Sequence, residues 1–337
     1  NLNQAATDLA SDETVFDFGV RRLGRSFAER LLDPMVKGIS GGDARQISLA
    51  AAFPRMVELE ERYGSLFKAL FKISRQNRHH PGRSTSPGPS GVLHSFPAGM
   101  ATLPERLAAR LRAVVHLEHP VDQVYTRQGK WWLTCKDKER GPFAAVVNAA
   151  PAHATAPQVT DPTLTELLAG IQFQPLVVVS LAFARERVDH PLDGFGMLIP
   201  TAERKRLLGV LWSSSIFRGR APAGKVLVRC LIGGSRWLDW ADTDLVRICL
   251  EELGDLYGLQ HDPERFWIIR HPRAIAQYQI GHLARLAAID QQLAAQPGLF
   301  LVGSSYRGIS VNHCVAESVQ TATQVLNWLQ ASTATTA

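Results

Sequence analysis

The sequence lacks any apolar run close to the roughly 18 residues that a bilayer-spanning helix needs. Its longest candidate, Pro175 to Ala184, has the length of a strand. Cysteine is scarce: the 337 residues contain four, and no two form a C-x-x-C pair. These absences predict no transmembrane helix, no disulfide scaffold and free thiols in a reducing compartment. The 45% of hydrophobic residues supplies enough apolar material for two cores.

The basic residues are dispersed rather than gathered into a nucleic-acid-binding module, although the formal net charge is +6. Their densest cluster, Arg75 to Arg83, lies in a segment rich in Pro, Gly and Ser, which predicts a solvated loop. His79 and His80 within it have no carboxylate or cysteine partners, so no metal site is predicted. The charge leaves an anionic membrane surface or an acidic substrate as the partners to consider.

The spacing of apolar residues predicts different secondary structure in different parts of the chain. Apolar residues at steps of three and four predict helices over residues 12–74, and a loop follows from Asn77 to Gly91. A further helix is predicted from Met100 to Leu111. Beyond it, three strand-like runs are predicted, with a hairpin turn at Gln128-Gly129-Lys130: Val114 to Leu117, Val121 to Thr126 and Trp131 to Cys135.

Residues 171–280 alternate short strands with one clear helix, Leu245 to Tyr257. This texture is typical of an antiparallel sheet with a covering helix. The predicted strands are Leu176 to Phe183, Leu207 to Trp212, Val226 to Ile232 and Phe266 to Arg270.

A short apolar run, Leu299 to Val302, is opened by Pro297-Gly298 and closed by Gly303-Ser304-Ser305, as in a buried parallel strand. Asn312 is then predicted to cap a helix with apolar residues at helical spacing. A strand, a glycine turn and a helix N-terminus form a site for an anion and for close approach of a flat ligand. The same pattern also fits a unit that only completes an α/β sheet.

The run Gly303-Ser304-Ser305-Tyr306-Arg307-Gly308-Ile309-Ser310-Val311-Asn312-His313-Cys314 resembles the C-terminal flavin-binding motif of oxygen-dependent protoporphyrinogen oxidases, in the flavin amine-oxidase superfamily. His313 stands where that family usually carries Asp. Other segments follow the family's order along nearly the whole chain: Leu31 to Pro34, Lys37 to Asp43, Gly99 to Pro104, Asp193 to Pro200, Ser213 to Phe217 and Gln277 to His282.

The resemblance implies an α/β (α+β) fold with a parallel-sheet FAD-binding domain, an antiparallel-sheet substrate domain and a helical subdomain. No Gly-x-Gly-x-x-Gly turn for the pyrophosphate occurs in the sequence. We therefore expect a C-terminal portion that lacks the N-terminal βαβ unit of the FAD domain, and we expect weak FAD binding or none. The segments are a helical, membrane-associating subdomain (1–75), a linker (76–95), FAD-domain residues (96–155), the substrate domain (156–285) and further FAD-domain residues (286–337).

The implied activity is FAD-dependent oxidation of protoporphyrinogen IX to protoporphyrin IX, with dioxygen as the acceptor. By resemblance, the cofactor contacts are Val121 at the adenine end, Gly303, Leu283 (often Trp in the family) and the backbone of Ile309, Ser310 and Val311. The resemblance places Leu198 and Phe217 at the faces of the tetrapyrrole, with Gly41 and Gly42 in a loop near it. Without the resemblance, Leu198 and Phe217 would be predicted to lie in the hydrophobic core, and Gly41 and Gly42 to form an ordinary turn.

No acid–base pair emerges near the motifs, so no catalytic base is named. Two alternatives stay open: another flavin amine-oxidase-like enzyme, or a non-catalytic porphyrin-binding remnant. Coproporphyrinogen is an alternative substrate, and a homodimer is left open. Periodicity makes Leu66 to Lys72 either a core helix or a helix on lipid headgroups; the resemblance favours the second, which implies a cytoplasmic protein peripheral to a membrane.

Overall fold

The structure is a computed structural model that describes residues 12–64, 93–112, 114–259 and 261–334. It forms two compact units. The first comprises Asn1–Leu49, Phe53–Val115 and Gln174–Ala274, and the second comprises Ala50–Ala52, His116–Phe173 and Ile275–Ala337, each as far as it is described. The predictions for the Leu66 to Lys72 helix, the Arg75 to Arg83 cluster and the Asn77 to Gly91 loop lie outside the described residues.

The helices and strands follow one another in a mixed order along the chain. The helices are α1 (Val15–Leu23), α2 (Arg25–Phe27), α3 (Asp33–Ser40), α4 (Leu49–Ala52), α5 (Pro54–Tyr63), α6 (Thr102–Arg110), α7 (Ala152–Thr155), α8 (Pro162–Ala169), α9 (Ser213–Ile216), α10 (Asp242–Tyr257), α11 (His282–Ala294) and α12 (Val311–Ala334). A π-helical segment, Ala28–Leu32, joins α2 to α3. The strands are β1 (Gln123–Arg127), β2 (Lys130–Cys135), β3 (Lys138–Phe143), β4 (Val146–Asn148), β5 (Phe173–Ala184), β6 (Gly196–Leu198), β7 (Leu207–Leu211), β8 (Lys225–Gly233), β9 (Arg265–Ala276) and β10 (Leu299–Leu301).

The N-terminal helices of the first unit begin and end at residues suited to those positions. The Thr14 hydroxyl accepts a hydrogen bond from the Asp17 N–H and caps α1. Gly41 ends α3 in the left-handed conformation, with φ of 67°. Between helices, the buried Glu60 carboxylate of α5 accepts from the guanidinium of Arg21 in α1 at 2.7 Å. The helical texture predicted for this part of the chain is confirmed in residues 12–64.

A five-stranded sheet in the order β6-β7-β8-β5-β9 organises the rest of the first unit. The pairs β5–β8, β7–β8 and β6–β7 are antiparallel. The helix α10 packs on this sheet and contributes a row of buried side chains to its core. These side chains are Leu245, Ile248, Cys249 and Leu253. The antiparallel sheet with a covering helix is thus confirmed.

The second unit contains a parallel pair and an antiparallel meander. Strands β10 and β4 pair in parallel, with Leu299 opposite Val146 and Leu301 opposite Asn148. Strands β1, β2 and β3 form the meander. The hairpin turn falls at Gln128 and Gly129, both with positive φ, as the sequence predicted. The mixture of parallel and antiparallel sheets confirms the α/β (α+β) class.

One strand prediction was wrong, and one strand was not predicted. Val114 to Leu117 is irregular, and its three apolar side chains, those of Val114, Val115 and Leu117, are exposed; none of the strands described pairs with the run. In contrast, β3 was missed because all six of its residues are exposed and carry no alternating apolar pattern. It forms because β2 offers it an edge to pair with.

The cysteines are free, with Cys135, Cys230 and Cys249 buried and Cys314 partly so, as the sequence predicted. Among the described residues, no helix combines the length and apolar character that crossing a bilayer requires. The five-segment division of the chain stays a prediction.

Candidate functional site

The turn from Gly303 to Ser310 leaves the carboxyl end of β10 in the second unit; it is called the flavin turn below, after the motif that its sequence resembles. The Val302 N–H donates to the carbonyl of Asn148 at 3.1 Å, which continues the pairing of β10 with β4 up to this turn. Gly303 then adopts φ of 127°, a conformation that favours glycine. The parallel strands therefore end at a turn whose backbone is open to close approach.

Two buried side chains, those of Tyr278 and His282, form hydrogen bonds with the backbone of the flavin turn. The Tyr278 hydroxyl donates to the carbonyl of Ser304 at 2.8 Å and accepts from the Gly308 N–H at 2.8 Å. The ring of His282 stacks on the Tyr278 ring with centroids 4.1 Å apart, and its Nε2 lies 2.9 Å from the Tyr306 carbonyl. Sequence reasoning gave neither residue a role, because these contacts join positions 24 to 30 residues apart.

The flavin turn is also anchored to α7 and to the core. The Ser305 hydroxyl accepts from the Ala152 N–H at 3.0 Å, where α7 begins. Burial raises the pKa of Tyr306 to about 12, and its pKa is lowered to a smaller extent by the Thr155 hydroxyl. Burial likewise raises the pKa of Tyr278 to about 12. Both phenols therefore stay protonated at neutral pH, and Tyr278 remains a donor to the turn.

The start of α12 corrects one prediction. The helix begins at Val311, one residue before Asn312, and the Ser310 hydroxyl accepts from the His313 N–H at 3.2 Å. Ser310, and not Asn312, is therefore the N-cap. Within the described residues, the amides of Val311 and Asn312 donate to no protein acceptor. They form the positive end of the helix dipole.

Gly308 is required by sterics. Its φ is 139°, and a Cβ placed on it would overlap the Cβ of His313. The glycine thus lets the chain turn sharply into α12.

Hydrogen bonds connect Val121 to the same end of the parallel strands. The Gln158 amide donates to the Val121 carbonyl at 2.9 Å and accepts from the Asn148 side chain at 2.8 Å. Of the predicted cofactor residues, Val121, Gly303 and Ile309 are partly buried in the second unit, whereas the side chains of Ser310, Val311 and Leu283 are exposed. Leu283 follows His282 in α11, so the residue that contacts the turn is its neighbour.

The predicted substrate residues lie in the first unit. Leu198 packs against α3, because its side chain occupies the space where a Cβ on Gly38 would lie. Gly41 ends that helix and the Gly42 N–H donates to the Ser40 hydroxyl at 3.2 Å. The structure therefore brings Leu198 to the helix that ends at Gly41 and Gly42. The side chain of Leu198 is 41% exposed and can contact a ligand.

Phe217 lies beside another segment. The Arg220 guanidinium sits 5.5 Å from the centre of its ring and donates to the Phe96 carbonyl at 3.1 Å and the Ser95 hydroxyl at 2.7 Å. Arg220 thus fixes the orientation of the Phe217 ring through a cation–π contact and ties it to residues 95 and 96. The roles of these residues, like those of the cofactor residues, stay predictions.

The flavin turn, with a glycine at the strand end and a capped helix after it, agrees with what comparison of the whole sequence shows. Residues 3–326 match the family described as flavin containing amine oxidoreductase. The chain belongs to this family. Membership implies FAD as the cofactor, which confirms the cofactor predicted from the resemblance.

Several curated relatives are oxidases of porphyrinogens. The chain is 28% identical to protoporphyrinogen oxidase 1 of Arabidopsis thaliana over 94% of its length and 64% of the relative's. It is 30% identical to protoporphyrinogen oxidase 2 of that plant (96% and 69%) and 24% identical to coproporphyrinogen III oxidase of Bacillus subtilis (96% and 69%). The chain thus spans about two thirds of the length of these relatives.

Solved structures share the fold. A structure from Exiguobacterium sp. 255-15 superposes with a TM-score of 0.78 at 22% identity, covering 98% of this chain and 70% of that one. Cyclohexylamine oxidase from Brevibacterium oxydans superposes with a TM-score of 0.63 at 16% identity, covering 96% and 70%.

The residues of the flavin turn fit one part of an FAD site. The turn follows parallel strands, Gly303 has no Cβ to keep a ligand from its backbone, and the amides of Val311 and Asn312 are available to an acceptor. Residues for the pyrophosphate are not assigned, since the sequence contains no Gly-x-Gly-x-x-Gly.

Proposed function

We propose that this chain acts in the FAD-dependent oxidation of a porphyrinogen, converting protoporphyrinogen IX to protoporphyrin IX with dioxygen as the electron acceptor. The observation that carries the proposal is the similarity over more than nine tenths of the chain to relatives named protoporphyrinogen oxidase. The geometry of the flavin turn supports it, because Tyr278 and Gly308 fix a helix N-terminus suited to an electron-rich ring.

In this reaction, the residues of this chain would bind FAD and the porphyrinogen and orient the two relative to each other. FAD, when bound, supplies the oxidation of the macrocycle. The amides of Val311 and Asn312 would stabilise negative charge beside the flavin turn. Leu198 and Phe217 would hold a flat apolar ring system through an aliphatic and an aromatic face. These roles require no acid–base pair on the protein.

Coproporphyrinogen III is the second candidate substrate, since relatives from Bacillus subtilis and Staphylococcus aureus carry that name. It bears more carboxylates than protoporphyrinogen IX. The two candidates therefore differ in the number of basic side chains the pocket must offer. A cytoplasmic location peripheral to a membrane, with residues 1–75 as the membrane-associating segment, is part of the same proposal.

The test compares two forms of the protein with FAD in excess. One is the 337-residue chain, and the other carries a βαβ unit with a Gly-x-Gly-x-x-Gly turn fused upstream of Asn1. Porphyrin fluorescence is followed with protoporphyrinogen IX, with coproporphyrinogen III and without enzyme, and oxidation of simple amines is measured in parallel.

The expected result is porphyrin formation by the fusion above the uncatalysed rate, faster with protoporphyrinogen IX. A preference for coproporphyrinogen III would select the second substrate. Flavin-loaded fusion that oxidises amines and neither porphyrinogen would show the proposed reaction to be wrong.

A further inference from the structure

The five-stranded sheet of the first unit has one face against α10 and one turned away from it, called the far face below. In β8, the side chains of Val228, Cys230 and Ile232 are buried against α10. Successive side chains of a strand point to opposite faces of a sheet, so Arg229 and Leu231 lie on the far face. None of the strands β5, β6, β7 and β8 contains Asp or Glu. These four strands therefore bring no carboxylate to the far face.

Arg229 is a cation without a protein counter-ion. Its side chain is exposed, although β8 lies inside the sheet between β7 and β5. Its cross-strand neighbours are Leu211 and Ser180, which carry no charge. The other basic residue of these four strands, Lys225, pairs with Glu264 at 2.6 Å, whereas no salt bridge joins Arg229 to any carboxylate in the described part of the chain. The forked guanidinium is thus available to a carboxylate of a ligand.

The predicted substrate residue Leu198 lies on the same far face. Its neighbour Met197 packs against the core beneath α10, so the side chain of Leu198 points the other way. In the register of the sheet, Leu198 lies opposite Gly209, and Gly209 lies opposite Leu231. Because Gly209 has no side chain, the far face is low between the two leucines. Arg229 follows in the same strand as Leu231, two residues away.

Strand geometry gives the separation of Leu198 and Arg229. Neighbouring strands lie about 5 Å apart and a strand advances about 3.3 Å per residue, so two strands and two residues separate the Cα atoms by roughly 12 Å. The long side chain of Arg229 covers part of this distance. A flat macrocycle that lies on Leu198 and Gly209 therefore brings an acidic group at its edge to the guanidinium.

We propose that Arg229 binds a propionate carboxylate of the porphyrinogen and thereby fixes how the ring is rotated on the far face. The inference rests on the proposed function, because it takes the substrate to be a tetrapyrrole with propionate side chains. The guanidinium donates two parallel hydrogen bonds to the carboxylate, and the apolar ring beside them shields the ion pair from solvent. Arg229 moves no proton in this role: it selects a ring system that carries an acidic side chain.

Fluorescence titration of the 337-residue chain with two porphyrins tests the proposal. The ligands are protoporphyrin IX and its bis-propionamide, which share the ring and differ in whether the propionate groups are charged. Arg229→Gln removes the cation, and Arg229→Lys keeps the charge but loses the forked geometry. Arg247→Gln is the control for the change in net charge, since Arg247 is an exposed residue of α10, on the other side of the sheet.

Arg229→Gln is expected to weaken binding of protoporphyrin IX about tenfold, the usual effect of losing a charged hydrogen bond, and to leave binding of the bis-propionamide unchanged. Arg229→Lys should give a smaller loss, and Arg247→Gln should change neither affinity. Equal losses for both ligands would show that Arg229 only supports the sheet. That result would overturn the proposal, as would unchanged affinity for both, or no binding of protoporphyrin IX to the unsubstituted chain up to the solubility limit of the porphyrin.

The fusion protein separates this proposal from the proposed function. There, Arg229→Gln should raise KM for protoporphyrinogen IX about tenfold with little change in kcat, because the contact is made equally in the ground state and the transition state. Turnover with an unchanged KM would leave the function in place and show the role of Arg229 to be wrong. A fusion that oxidises neither porphyrinogen, while the titration still shows the preference for the free acid that depends on Arg229, would contradict the function and support the carboxylate site.

Discussion

The phenol oxygen of Tyr278 lies 2.8 Å from the backbone nitrogen of Gly308, so one buried side chain closes the flavin turn. The same hydroxyl donates to Ser304, at the other end of the turn. The two bonds hold Ser304, near the start of the turn, and Gly308, near its end, and both depend on one oxygen atom.

Replacing Tyr278 with Phe removes both bonds and keeps the ring stacked on His282. We expect the free energy of unfolding of the second unit to fall by about 1–3 kcal/mol, because the Gly308 N–H and the Ser304 carbonyl lose a buried partner. Calorimetry measures the change. Tyr125→Phe is the control, since that hydroxyl donates to Glu139 in an exposed hydrogen bond on β1; equal effects of the two variants would contradict the role of Tyr278.

Alkaline pH should weaken the second unit through the two buried phenols. Burial raises the pKa of Tyr278 and Tyr306 from 10.0 to about 12. The folded state therefore holds these protons more tightly, so stability is fully present below pH 10 and is lost as the pH rises toward 12. Urea titrations across this range should show the decline. A variant with both residues changed to Phe should show a shallower one.

The N-cap of α12 can be located by substitution. Ser310→Ala should cost about 1 kcal/mol, because the His313 N–H loses its acceptor. Asn312→Ala should change stability little, since Asn312 is exposed and lies inside the helix. Thermal melts of both variants decide between the two caps, and a larger loss for Asn312→Ala would restore the prediction made from the sequence.

Gly308→Ala should be among the most damaging small substitutions. The added Cβ overlaps His313 and the backbone has φ of 139°, so the turn must move away from α12. Gly258→Ala is the matched control, because Gly258 has φ of 68° with open space around it and should cost only about 1 kcal/mol. For both variants, the melting temperature is measured in the 337-residue chain and the retained flavin in the fusion protein. Similar losses would show that the contact with His313 is relaxed.

Phe217→Ala in the fusion protein should weaken tetrapyrrole binding at least about tenfold and leave flavin content unchanged, because an aromatic contact face is lost. Phe266→Ala on β9 serves as the control for loss of a partly exposed ring. Fluorescence titration with protoporphyrin reports affinity, and absorbance reports flavin. Loss of flavin would place Phe217 in a structural role.

The sequence predicted those strands and turns whose ends are determined by neighbouring residues. The strand at Leu299 was bounded by Pro297-Gly298 and Gly303, and the hairpin by Gln128-Gly129, whose positive φ values a turn requires. The cap of α12 was misplaced by two residues because Ser310 and Asn312 are both good N-caps, and only the geometry distinguishes them.

Sequence patterns did not predict the contacts between residues that lie far apart in the chain. Tyr278 and His282 were recognised only as part of a family-like segment, yet they fix the flavin turn through bonds to residues 24 to 30 positions away. The apolar run at Val114 predicted a strand, yet no strand in the described part of the chain pairs with it, whereas the exposed β3 forms because it pairs with β2. Whether a strand formed was therefore decided by the presence of a strand to pair with, and not by the β-propensity of the run.

The parallel pair of β4 and β10 joins only three residues of each strand, yet the flavin turn depends on it. So short a ladder contributes few cooperative bonds, and a ligand held by the turn would add its binding free energy to the folding free energy of this unit. Occupancy and folding are then linked: the second unit would melt at a temperature set by cofactor concentration, and the first unit would not. Cofactor supply would thereby determine how long the second unit survives proteolysis.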